Sequence, residues 1–251
     1  MAANPKHIEG IYNYCDRWCE RCSFTSRCAV YKSVQALSTE ETDINNKAFL
    51  DKIGNSFADA VTLLKKAADE RGITLPNADT DAMIIYMSNL KKKRQEMELH
   101  PLIKYSKQYM MKANEVLQNN EALKNRGEAL IQLVTLGIKD IQETKKEVVE
   151  LTDYLEIVQW YLFQIQVKFM RALPTFDDIE NAAFKMDSNG SAKVALIATD
   201  RCIAAWQHIM QLLPEAQDDI IPLLALLQKI QMLGEHTFPY ARAFVRIGLD
   251  E

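Results

Sequence analysis

The 251-residue sequence predicts an all-α protein: a single multi-helix bundle with a long central helix and an N-terminal cysteine-rich helix and turn. Three observations predict it. Hydrophobic residues make up 48% of the chain, enough at this length to bury a sizeable core. Eight Gly and seven Pro are too few breakers for a many-turned β sandwich. Apolar residues recur three and four apart through most segments, which is the helical period.

Taken in order, a helix from about Pro5 to Cys22 would set Ile8, Ile11, Cys15, Cys19 and Cys22 on one face. In the segment from Asp43 to Arg71, Phe49, Ile53, Phe57, Ala60, Leu64 and Ala68 form one stripe, which Gly72 stops. Asp79 or Thr80 is placed to cap a helix through Met83, Ile84, Met87 and Leu90 into the run KKKRQEMELH. Pro101 breaks or restarts it, since proline lacks an amide hydrogen and restricts its predecessor. A further helix from Leu102 to about Asn120 carries Ile103, Tyr109, Met110, Ala113, Val116 and Leu117.

Between Lys139 and Leu173, Val148, Leu151, Leu155, Val158, Leu162, Ile165 and Phe169 alternate three and four apart. Tyr154, Ile157, Trp160 and Tyr161 widen that face beyond a coiled-coil seam, so it reads as the central helix of a bundle. After Pro174 the chain is acidic and loop-like as far as MDSNGS, where Asp187, Ser188 or Asn189 is placed to cap a helix that ends at Pro214. The next runs from about Ala216 to Leu233, with Pro222 near its start and Gly234 closing it. An aromatic tail, FPYARAFVRIGL, follows. No repeat or low-complexity linker divides the chain. Residues 1–35 read as a cysteine-rich metal-binding segment, and residues 36–251 as a helical bundle packed with it as one domain.

The start, MAANPKHIEG, has no apolar run followed by a cleavage site, and no stretch approaches the roughly 18 apolar residues of a membrane span. The expectation is a cytoplasmic protein without membrane contact. A formal net charge of −4 gives no general attraction to nucleic acid. Its distribution is uneven: residues 91–126 carry nine Lys/Arg against four Glu, and residues 174–251 six against eleven acidic groups.

The densest chemistry lies in YCDRWCERCSFTSRC, residues 14–28, which holds four of the five cysteines: Cys15, Cys19, Cys22 and Cys28. Cytosolic thiols stay reduced, so a disulfide framework is not expected. On a helix the first three sulfurs point together, and Cys28 returns from a turn as the fourth metal ligand. Tetrahedral zinc needs sulfurs roughly 3.8 Å apart. Cβ atoms one helical turn apart start about 5 to 6 Å from each other, which suits a 4Fe-4S cluster better and leaves zinc as the alternative. Arg17, Arg21 and Arg27, interleaved with the ligands, are placed to screen the cluster's negative charge, with Trp18 and Phe24 as shields from water.

The sub-pattern Cys19-x2-Cys22-x5-Cys28 resembles the clustered 4Fe-4S ligands of endonuclease III-type DNA glycosylases, and of the iron staple in CRISPR-associated and recombination exonucleases. The resemblance implies a cluster that holds structure and positions a nucleic-acid-binding surface. It covers about fourteen residues, and the fourth ligand departs: glycosylases place six residues before the triplet and the nucleases draw it from far upstream, whereas three residues separate Cys15 from Cys19. Cys15-x3-Cys19-x2-Cys22 also has radical-SAM spacing, but a fourth cysteine fills the open iron position and no βα repeats are present.

Other candidates are thinner. Asp200, Arg201 and His208 share a helix and offer the one enzyme-like grouping, while Cys202 reads as packing. None of His7, His100, His208 and His236 sits in an E-x-x-H motif, against a ferritin-like di-iron centre. The basic run Lys91, Lys92, Lys93, Arg94 with Lys104, Lys107 and Lys112, interleaved with Tyr105 and Tyr109, is the feature that would suit a nucleic-acid partner. The leading expectation is a metal-binding helical protein with a redox or protein partner. A nucleic-acid-associated module built around a structural Zn or Fe-S site is the alternative.

Overall fold

The computed structural model describes residues 7–74, 81–173 and 182–250, side chains at 82 and 182–184 excepted. It is all-α, with no strand among the described residues. The helices are α1 (Ala29–Gln35), α2 (Thr39–Thr42), α3 (Lys47–Glu70), α4 (Asp81–Leu99), α5 (Pro101–Asn119), α6 (Glu121–Thr135), α7 (Ile141–Tyr161), α8 (Gln164–Ala172), α9 (Ala182–Leu212) and α10 (Gln217–Thr237). Contacts divide the chain into two compact units: Met1–Tyr12 with Cys19–Arg94, and Asn13–Trp18 with Gln95–Glu251. The division falls inside α4 and not near residue 35.

In the first unit the expected N-terminal helix does not form. Residues 7–18 are turns and irregular backbone, followed by single 3-10 turns at Cys19–Arg21 and Thr25–Arg27. Gly10 at φ 76° and Arg17 at φ 61° both leave the helical region. The expected start at Pro5 lies outside the described residues.

α2 begins with a capping box: the Glu41 amide donates to the Ser38 hydroxyl, and the Glu41 carboxylate accepts from the Ser38 amide. α3 opens on Asn46, whose side chain accepts from the Ala48 amide. It ends as the stripe predicts: Gly72 at φ 65° lets Ile73 N–H reach the Ala68 carbonyl and Gly72 N–H the Asp69 carbonyl. The caps expected at Asp79 and Thr80 lie outside the described residues.

The second unit holds the core. α9 packs against α7, α8 and α10, and α10 against α5. Buried Ala192, Ala195, Ala198 and Ala205 let neighbours approach α9 closely, around a fully buried Trp206. The Trp206 indole N–H donates to the Tyr109 hydroxyl at 3.0 Å, so the largest core side chain is not left with an unpaired donor. The break at Pro101 is where the sequence places it, and His100 Nδ1 accepts from the Leu102 amide at 3.2 Å.

Four elements differ from expectation. The central helix is two, α7 and α8, interrupted at Leu162–Phe163 while the apolar face continues through Leu162, Ile165 and Phe169. α6 occupies a stretch without a clear stripe; Asn120 caps it, and Leu130 is its buried residue. Asp187, Ser188 and Asn189 do not cap α9 but lie within it, for Ser188 donates to the Ala172 carbonyl and Asp187 pairs with Arg171. Gly234 does not close α10. A Cβ there would come within 2.8 Å of the Phe169 ring, so the glycine permits helix packing and α10 continues to Thr237. The loop expected after Pro174 lies outside the described residues. No helix among the described residues is long and apolar enough to cross a membrane.

Candidate metal centre

Residues 13–18 are held to the second unit by three side chains. The Tyr14 hydroxyl donates to Asp187 at 3.3 Å, and its ring meets Phe244 edge-on at 5.0 Å. The same ring lies over Gly190, where a Cβ would come within 2.4 Å of it. Trp18 stacks on Trp160 at 5.0 Å and 17°.

Between them, Asp16 is the anchor. Its carboxylate accepts from the Tyr161 hydroxyl at 2.6 Å, from Arg201 Nη1 at 2.7 Å and from the Trp18 amide at 3.2 Å. Its carbonyl accepts from Trp160 Nε1 and Gln164 Nε2, both at 3.0 Å. Burial alone would raise the Asp16 pKa, but the bonds from Tyr161, the Trp18 amide and Arg201 together hold it below the usual carboxylate range. Burial, with the Asp16 carboxylate beside it, raises the Tyr161 phenol. These bonds explain why the local helix is lost: a continuous helix could not turn Tyr14, Asp16 and Trp18 toward α7, α8 and α9 at once.

In sequence the cysteines stand on both sides of Asp16. Cys15 lies in the docked segment and Cys19, Cys22 and Cys28 in the first unit. All four are half-buried and none is in a disulfide. Cys22 N–H donates to the Cys19 carbonyl at 3.1 Å, closing the turn between these two positions. The Phe24 amide points at Cys22 Sγ at 3.4 Å, and the Tyr31 amide at Cys28 Sγ at 3.5 Å. Lys168 of α8 is an electrostatic neighbour of Cys15; burial and nearby Arg171 lower its pKa, while Cys15 opposes that shift.

Among the described residues no three His, Cys, Asp or Glu side chains stand together as a metal-binding group. Without the helix, the one-turn spacing that favours a cubane over zinc has no counterpart; the donor chemistry that remains is four thiols, two of them with amide donors. Trp18, expected as a shield, stacks on Trp160.

The other candidates do not converge. Asp200 accepts from Gln231 and pairs with Arg242, Arg201 turns to Asp16 and Tyr161, and His208 stacks on Tyr154 at 4.6 Å. Cys202 is buried beside Tyr109, and burial pushes its thiol up to about 12, as its packing role predicts. Tyr109 is fully buried, which closes its ring to a nucleic-acid base, and Lys229 lies over one face of the Tyr105 ring at 4.1 Å. Sequence reasoning missed Asp16, Trp160 and Gln164. An Asp inside an aromatic-rich, cysteine-rich stretch was the available signal, but its partners lie 144 to 185 residues away.

The described residues define an all-α protein with four thiols in one short stretch of sequence and, in its second unit, an aromatic and carboxylate cluster around Asp16. No family model, curated protein or solved structure matches the chain.

Proposed function

We propose that Cys15, Cys19, Cys22 and Cys28 hold a 4Fe-4S cluster in a structural or electron-transfer role, with zinc as the alternative occupant. The observation that carries this reading is the set of four thiols within fourteen residues, none in a disulfide and two of them receiving backbone N–H donors. Amide donors to sulfur are the contacts that orient and tune the thiolates of a bound metal centre. Lys168 adds positive charge beside Cys15. Cys15 is within reach of the other three by chain length, for four residue steps span up to about 14 Å. The preference for iron rests on the x2 and x5 spacing. A 4Fe-4S cluster supplies one-electron transfer or structural cross-linking, and four protein thiolates leave no iron open to a substrate.

The test is anaerobic purification with iron, sulfide and zinc analysis, followed by electron paramagnetic resonance after reduction. A brown protein with about four iron and four sulfide per chain is expected. Stoichiometric zinc without iron selects the alternative. Absence of either metal, or equal metal content after all four cysteines are changed to Ser, overturns the proposal.

A further inference from the structure

We propose that α3 of one molecule pairs antiparallel with α3 of a second copy of this chain. α3 has one buried residue, Ala68, along its 24 positions. Leu50, Phe57, Leu63 and Leu64 are 63%, 68%, 67% and 59% exposed. Val34 and Leu37, with Phe49, Ile53, Phe57 and Ala60, line an apolar groove of about 850 Å³ along the helix. Single exposed apolar residues need no explanation, but a contiguous stripe of this size marks an interaction surface.

The stripe is complementary to itself. Leu50, Ile53, Phe57, Ala60, Leu64 and Ala67 alternate three and four apart, as a and d positions do. Reversing a second copy about the midpoint of these six residues sets Leu50 opposite Ala67, Ile53 opposite Leu64, and Phe57 opposite Ala60. In two of the three kinds of layer a large side chain meets a small one, the arrangement that lets layers interdigitate. Gly54 adds a second sign. A Cβ there would meet nothing within 4 Å, so no contact within the described chain requires glycine at a helix-interior position where alanine is better. A second backbone approaching this face closely would use the missing Cβ.

Charge selects this occupant and this direction. α3 carries four Lys and four acidic residues, so it has no net attraction to an anionic lipid surface. Lys47, paired with Asp51 at 2.7 Å, opens the helix, and Asp69 and Glu70 close it. Parallel pairing would set like charges together at both ends; antiparallel pairing sets Lys47 near the partner's acidic end and opposes the helix dipoles. Burying the exposed stripe in both copies removes on the order of 1,200 Å² from water, the lower end of a specific interface.

The test is sedimentation velocity of the full chain under reducing conditions at micromolar concentration, where thiols cannot cross-link. A dimer is expected, and Phe57→Glu should raise its dissociation constant at least about tenfold with unchanged circular dichroism. Lys47→Glu should weaken the dimer, and adding Glu70→Lys on the same chain should restore it. If Phe57→Glu alters the helix content, this charge swap between exposed end residues decides. A monomeric wild type, a dimer indifferent to Phe57→Glu, or a swap that does not restore association overturns the proposal; monomer with binding to lipid vesicles or to another protein would assign the stripe elsewhere.

Discussion

The Asp16 carboxylate and the Tyr161 hydroxyl meet at 2.6 Å across 145 residues of sequence, and Arg201 closes the same cluster from α9. A hydrogen bond to a charged group contributes about 1.5–3 kcal/mol when its partner is removed. Asp16→Ala should therefore lower unfolding free energy by about 2–3 kcal/mol, and Tyr161→Phe by about 1–2 kcal/mol, in urea denaturation. The double variant should lose less than the sum, since both remove one bond.

The same carboxylate sets a pH dependence. Its folded pKa lies below its unfolded value of about 3.9, so its contribution is fully present above that value and is lost as pH falls through the lowered folded pKa. Asp16→Asn should flatten the acid limb of a stability-against-pH curve and leave its shape near neutrality unchanged. An identical acid limb in the variant would show that Asp16 is not held by these bonds.

Gly190 is expected to be intolerant. In Gly190→Ala the new methyl meets the Tyr14 ring, and overpacking of this kind costs about 1–3 kcal/mol. Tyr14→Ala in the same chain should remove most of that penalty. Thermal unfolding of the four proteins in this cycle measures the coupling directly.

Thiol labelling should separate the cysteines into two classes. Cys15, Cys19, Cys22 and Cys28 are half-buried and should react with an aromatic disulfide reagent in the folded, metal-free protein, whereas Cys202 should react only on unfolding. Metal loading should protect the four and leave Cys202 unchanged.

The helices that bury a single wide stripe were legible, and so were stops with a local cause. Pro101 and Gly72 act through their own backbone, so the residue type alone places them. Asp187 to Asn189 and Gly234 misled for the opposite reason. Asp187 and Ser188 sit inside α9 with their side chains bonded to Arg171 and the Ala172 carbonyl, and Gly234 sits inside α10 where Phe169 packs against the space it leaves. The cysteine segment shows the same tension. Its three-and-four spacing satisfies a helix, but contacts with residues more than 140 positions away impose turns instead. Spacing reports which side chains a local element would align; it does not report when distant partners outcompete that element.

The return of residues 13–18 to α7 and α9 also orders events during synthesis. Asp16 leaves the ribosome long before Arg201 exists, 185 residues later. At translation rates of about 5–20 residues per second this interval is roughly ten seconds or more. Throughout it residues 13–18 lack their final partners. Asp16 is therefore left without its carboxy-terminal partners, and open to chaperones, until α7, α8 and α9 have been made.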